Sequence, residues 1–161
     1  MANKKTEKSN EKLVAENRKA RHEYEILDTL ECGIMLMGSE VKSLREGKVS
    51  LAEGYAGLRG TELWLFQVDI AEYKQATLWN HEPKRPRKLL LKKQQLRKFG
   101  EKSLEKGFTL APMKIYFNER GIAKVLLGLG KGKQTHDRRE TLKKNEARRD
   151  IDRAMKSKGR E

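Results

Sequence analysis

One cysteine, three histidines and three prolines are all that this 161-residue chain has of those types. Cys32 standing alone excludes an intramolecular disulfide and a cysteine-rich zinc site. One unpaired thiol suits a reducing cytosol. His22, His81 and His136 lie far apart, and no two have the i, i+4 spacing of a helical metal site. No apolar run approaches the roughly 18 residues of a membrane span. The first residues, MANKKTEKSNEKLVAENRKARHEYEI, lack the apolar centre of a secretory signal. These absences together predict a soluble, cytoplasmic protein with no membrane partner. Catalytic patterns are missing too. GLGKGKQT fails the spacing of a phosphate loop, and no carboxylate pair stands out for acid/base work. No catalytic residue, metal, cofactor or small-molecule substrate is expected, and the chain does not read as an enzyme.

What the chain does have is positive charge. Only 36% of its residues are hydrophobic, 37% are charged, and the formal net charge is +14. That balance limits the core and implies an anionic partner. The charge is concentrated in three strips: residues 1–21 carry a net +4, residues 84–98 a net +8 and residues 131–161 a net +6. The rest of the chain sums to −4, so a slightly acidic body carries three basic strips.

Three segments follow from pattern: a flexible basic arm over residues 1–20, a β domain over 21–132, and a basic tail over 133–161. Within the domain, β-prone runs cover Tyr24–Leu30 and Ile34–Met37, joined near Gly33. GSEVKSLREG reads as a short helix, with Ser39 at the N-cap, Glu40 at the positive helix start and Gly47 beyond its end. Two strands flank a turn at Arg59–Glu62. The two prolines of EPKRPRKLLL favour an extended exposed loop, with Leu90 opening a helix that breaks near Gly100. In the final hairpin Met113, Ile115 and Phe117 alternate with Lys114 and Tyr116, NERG supplies the turn, and Lys124 points away from Ala123, Val125 and Leu127. About six strands and two or three short helices make a mainly β fold, best closed as a small antiparallel barrel that leaves no sheet edge.

Binding chemistry gathers in two places. NRKARHEY interleaves Arg18, Lys19 and Arg21 with the rings of His22 and Tyr24, supplying cations for phosphates beside platforms for bases. Lys131, Gly132 and Lys133 place two cations about a glycine that lets backbone approach a phosphate. Composition alone also fits a ribosomal or assembly protein that binds ribosomal RNA permanently.

NRKARHEYEI, GSEVKSLREGKVSL, PRKLLL, MKIYF and GKGKQTHDRRE occur in this order, and together they closely resemble the SsrA-binding proteins, the small protein B family of bacterial trans-translation. The resemblance runs from Asn17 to Glu140. It implies an oligonucleotide-binding-type barrel, no enzymatic activity, and binding to the tRNA-like domain of transfer-messenger RNA, which is delivered to stalled ribosomes. Alanyl-tRNA synthetase and elongation factor Tu would be met indirectly, through the charged RNA. Asn17, Arg18, Lys19, Arg21, His22 and Tyr24 would then face RNA, joined by Glu31, Leu90 and Lys124. The tail, including His136, Asp137, Arg138 and Arg139, would enter the decoding centre and the empty messenger channel of the small subunit, folding into a helix there. The chain departs from the usual family pattern at Gly130, where alanine is common, at Gln134, where lysine is common, and at Arg138, which replaces a lysine.

Overall fold

A computed structural model describes residues 11–133, 142–151 and 153. Among these, nine strands surround one core: β1 (Lys12–Glu16), β2 (Tyr24–Ile34), β3 (Val49–Ser50), β4 (Tyr55–Arg59), β5 (Glu62–Phe66), β6 (Asp69–Ile70), β7 (Arg87–Leu90), β8 (Phe108–Phe117) and β9 (Ala123–Gly132). Three helices are interspersed: α1 (Arg18–Glu23), α2 (Gly38–Arg45) and α3 (Lys93–Leu104). The main sheet runs β1-β8-β4-β5-β7-β2-β9, and β8 pairs with β9 as well. That last pairing closes the ring. One edge of β8 meets β9 along its length, while the other meets β4 at Leu110 and β1 at residues 114–117. The mainly β barrel expected from sequence is the observed architecture.

Leu63, Leu65, Leu110, Ile115, Val125, Leu127 and Leu129 point inward and are almost wholly buried. Period-2 alternation makes the opposite residues of each strand the outer face of the barrel. Three bulges modify this pattern. An extra residue on β2 (Leu27), on β8 (Met113) and on β1 (Val14) each shifts the register by one. The bulge at Met113 explains a failed expectation. Ile115 and Phe117 join the main core, but Met113 turns outward into a separate cluster with Ala20 and Ala111.

Other expectations fail for similar local reasons. Residues 12–20 are not part of an arm: β1 adds to the edge of β8, and α1 lies over the outer face with Ala20 buried beneath it. Gly33 does not interrupt β2. It is the point where Leu90 crosses, since a Cβ on Gly33 would sit 3.2 Å from Leu90 Cβ. Leu90 ends a strand instead of opening a helix. Gly100 lies inside α3, where Leu58 packs so closely that a Cβ would be 3.1 Å from its methyls. Gly60, with φ of +65°, forms the expected turn between β4 and β5.

Helix α2 starts one residue before Ser39. Its first turn is capped from within: the Glu40 carboxylate accepts the Met37 N–H at 2.7 Å. Ser39 serves His81 instead. The His81 Nε2 lies 2.9 Å from the Ile70 carbonyl and must donate there, so Nδ1 accepts from the Ser39 hydroxyl at 2.9 Å. The 71–86 loop is thereby tied to α2.

Residues 142–151 are helical, and every one is exposed. The tail was expected to become helical only inside its partner, whereas this segment is a helix in the isolated chain. Its solvent-facing surroundings agree with the thin apolar stripe of the sequence.

Candidate nucleic-acid interface

Registers across four strands build the first group. Gly33 of β2 is paired with Leu90 of β7 on one side and with Lys124 of β9 on the other, and Lys124 faces Tyr116 of β8. Leu90, Lys124 and Tyr116 therefore share one row on the outer face. Glu31 lies two residues from Gly33 on the same face, opposite Leu126, which in turn faces Lys114. The Glu31 carboxylate is divided between two partners. One oxygen accepts from the Tyr116 hydroxyl, and the other lies 4.0 Å from Lys124 Nζ. Burial, with Glu31 alongside, raises the Tyr116 phenol well above its usual range, so it stays a donor. Glu31 remains half-exposed, at 53% of its side chain. The arrangement is an acceptor held in place beside a cation and an exposed leucine, suited to base amino groups or 2′-hydroxyls next to a phosphate.

The second group forms where α1 meets the ends of β2 and β9. Tyr24 is paired with Gly132 and Glu25 with Lys131. The Lys133 N–H donates to the Glu23 carbonyl at 3.0 Å, and its ammonium reaches the Arg21 carbonyl at 3.3 Å. Arg18 and Lys19 stand exposed on α1, and His22 is half-buried. Lys19 lies 3.4 Å from Glu53 and Arg21 3.0 Å from Glu16. These surface pairs are screened and easily exchanged for phosphate.

Asn17 differs from its neighbours. It is 5% exposed and both ends of its amide are used. Its oxygen accepts the Ala20 N–H at 3.0 Å, capping α1, while its nitrogen donates to the Leu51 carbonyl at 3.0 Å. Asn17 sets the position of α1 and with it Arg18, Lys19 and Arg21.

Glu31, Leu90 and Lys124 come together. Tyr24 does not join them: Lys124 and Gly132 are eight residues apart on β9, roughly 26 Å at about 3.3 Å per residue. Lys124 and Gly132 nonetheless face the same side of β9, since they are an even number of residues apart. Tyr116 and Lys114 were not singled out as site residues; the hairpin alternation that sent them outward with Lys124 was the signal. His136, Asp137, Arg138 and Arg139 lie outside the described residues.

The strip over residues 84–98 is less available than its charge suggested. Five of its eight cations engage carboxylates: Arg85 and Arg87 on Glu40, Lys88 on Glu62, Arg97 on Glu101 and Lys98 on Asp28. Arg87 is wholly buried, and it also donates to the carbonyls of Val68, Pro83 and Arg85. The Lys98 ammonium and the Thr29 N–H hold Asp28 below its ordinary pKa. No group of three or more His, Cys, Asp or Glu suited to a metal occurs among the described residues, and none of their helices is long and apolar enough to cross a membrane.

Residues 14–157 match the family model described as SmpB protein. The chain belongs to the SmpB protein family. It is 57% identical over 145 residues to an SsrA-binding protein of Rhodopirellula baltica, spanning 90% of this chain and 82% of that relative. An SsrA-binding protein of Rhodopseudomonas palustris (strain BisA53) is 56% identical over 148 residues, with 92% and 94% covered. Among solved structures, a chain from "tmRNA-SmpB: a journey to the center of the bacterial ribosome" superimposes with a TM-score of 0.65 at 55% identity, covering 75% of this chain and 85% of that one. Gly130 has a local consequence here. A Cβ at that position would be 2.7 Å from Tyr24 Cβ, so glycine lets β2 bring Tyr24 down onto β9.

Proposed function

We propose that this chain binds the tRNA-like domain of transfer-messenger RNA through the outer face of the barrel and delivers it to stalled bacterial ribosomes in the cytoplasm. The observation that carries this reading is the row Leu90–Gly33–Lys124–Tyr116 with Glu31 beside it, in a chain of the SmpB family. The relatives' name, SsrA-binding protein, and the tmRNA-SmpB ribosome structure supply the partner. Glu31, Leu90 and Lys124 contact RNA at one end of the face. Arg18, Lys19, Arg21, His22, Tyr24, Lys131, Gly132 and Lys133 contact it at the other, where Asn17 positions α1. Alanyl-tRNA synthetase and elongation factor Tu meet the chain only through the charged RNA. The chain acts by binding, not by catalysis.

The tail has a separate task in this reading. His136 stacks on a decoding-centre base, Asp137, Arg138 and Arg139 engage the surrounding RNA, and the helix beyond them occupies the messenger channel when it is empty. Truncation before Thr135 tests the division. Affinity for transfer-messenger RNA should stay within about threefold, roughly 0.6 kcal/mol, while peptide tagging on stalled ribosomes is lost. Parallel loss of both would assign the tail to the RNA-binding surface. Retention on salt-washed ribosomes without copurifying transfer-messenger RNA would favour a ribosomal protein.

A further inference from the structure

A hollow of about 450 Å³ opens on the outer face where α1, β2, β8 and β9 meet. Ile26, Met113 and Leu126 give it an apolar lining, and Arg21 and Lys133 line it as well. An apolar hollow outside the core needs a cause, and four features of the backbone supply it. The bulge on β8 turns Met113 outward, and the bulge at Leu27 follows Ile26 on β2. Beneath them β9 has no side chain at Gly128 or Gly130. A Cβ on Gly128 would lie 3.0 Å from Met113 Sδ and 3.1 Å from Ile26 Cδ1, so these side chains lie flat over bare strand.

We infer that this hollow holds one unstacked nucleobase of the bound RNA, an inference that rests on the RNA-binding reading above. A nucleotide has a flat apolar body and an anionic end, and the hollow offers a matching surface for each. The thioether of Met113 is a polarisable contact for an aromatic ring, and the Tyr24 ring at the wall offers stacking. Arg21 and Lys133 stand where the attached phosphate would lie, and the bonds of Lys133 to α1 keep its ammonium there. Glu25 and Thr29 on the rim supply acceptors for a base amino or imino group. A bare phosphate would leave the apolar lining unused. An apolar peptide would bring no charge to complement the two cations.

The test labels the methionine methyls of the full chain with carbon-13; five methionines give few, separable signals. Adenosine or guanosine 5′-monophosphate at millimolar concentration should shift the Met113 methyl by ring current and leave Met35 and Met37 in place. Ribose 5-phosphate should not shift it. Thr29→Trp, at an exposed rim position, should fill the hollow, abolish the shift and weaken transfer-messenger RNA binding at least tenfold. Lys124→Ala should weaken RNA binding but leave the Met113 shift intact. A Met113 signal unmoved by any nucleotide in the unsubstituted chain overturns the inference, whatever Thr29→Trp does to folding. If folded Thr29→Trp binds RNA as the unsubstituted chain does, the pocket fails and the RNA-binding reading survives. If Met113 responds to nucleotides but the unsubstituted chain does not bind transfer-messenger RNA, the choice of RNA fails and the pocket survives.

Discussion

Replacing Glu40 by alanine should be among the most damaging single changes outside the apolar core. Its carboxylate is wholly buried and receives four donors: the Met37 N–H at 2.7 Å, Arg85 Nε at 2.8 Å, an Arg85 terminal nitrogen at 2.5 Å and Arg87 Nε at 2.8 Å. Arg85 is 27% exposed and can turn to water when the carboxylate goes, but Arg87 is 0% exposed and cannot. Leaving one charge of a buried pair without its partner costs about 3–5 kcal/mol, against a total stability of roughly 5–15 kcal/mol for a domain. At roughly 4 °C per kcal/mol, the midpoint of thermal unfolding should fall by on the order of 15 °C. Urea unfolding followed by circular dichroism measures the loss. The double variant Glu40→Leu with Arg87→Met should recover much of it, because no buried charge is left alone. Acid gives an independent check. Burial pushes the Glu40 carboxyl up, but Arg85, Arg87 and the Met37 N–H more than offset this and hold it below 4.5. A depressed folded pKa contributes stability that is present above about pH 4.5 and lost as pH falls through the folded value. The unsubstituted chain should therefore lose stability in that range more steeply than the double variant. A Glu40→Ala change costing less than about 1 kcal/mol would refute the reasoning, since it would mean that the carbonyls of Val68, Pro83 and Arg85 suffice for the Arg87 guanidinium without a counter-charge.

Three further outcomes follow from single contacts. Tyr116→Phe removes only the hydroxyl that holds Glu31, so RNA affinity measured by filter binding should fall about fivefold to tenfold, near 1 kcal/mol, with the thermal midpoint little changed; unchanged affinity would mean Glu31 needs no orienting. Lys124→Ala should lower affinity and reduce the slope of log K against log salt by about one, as expected for one phosphate contact; an unchanged slope would make Lys124 a partner of Glu31 alone. Cys32 is 1% exposed, and burial, followed by the nearby Glu31, raises its thiol pKa to about 12, so a thiol reagent at pH 8 should label it only at the rate of unfolding. Rapid labelling of the native protein would contradict the burial.

The barrel, the final hairpin and the turn at Gly60 were legible because each rests on a local pattern: alternation, a turn residue, or both. The bulges were not, since an extra residue in a strand leaves no compositional mark. Met113 shows the cost of missing one: alternation put it in the core, and one inserted position turned it out to line a hollow. Gly33 and Gly100 read as breaks in the sequence because glycine destabilises isolated strands and helices. In the fold each lies where a leucine from another element needs its space, which only long-range packing decides. Glu31, Leu90 and Lys124 were assigned together by resemblance, but their juxtaposition depends on the β7-β2-β9 register, joined through Gly33.

The same distinction changes what the positive charge means. From sequence, residues 84–98 formed the densest basic strip and the strongest candidate for contact with a polyanion. In the fold, Arg87 belongs to the interior and Arg85 shares its buried carboxylate, whereas the pairs of Lys88 and Lys98 are surface pairs like those of Lys19 and Arg21. Counting this strip as phosphate-binding charge would overstate the salt dependence of RNA binding, because a cation that keeps its internal partner releases no counterion from the RNA. Besides Lys84, Lys92 and Lys93, which stay exposed in that strip, the cations left for RNA lie on α1 and at the end of β9, where Arg18, Lys19 and Lys131 are exposed and the pairs of Lys19 and Arg21 are solvent-screened. Asn17 fixes α1 against β8 and the Leu51 turn, so this group moves as part of the barrel. In the proposed binding mode, a rigid cationic group at one end and an oriented carboxylate at the other would read the shape of a folded RNA by their spacing. A flexible basic arm could supply charge there, but it could not hold that spacing.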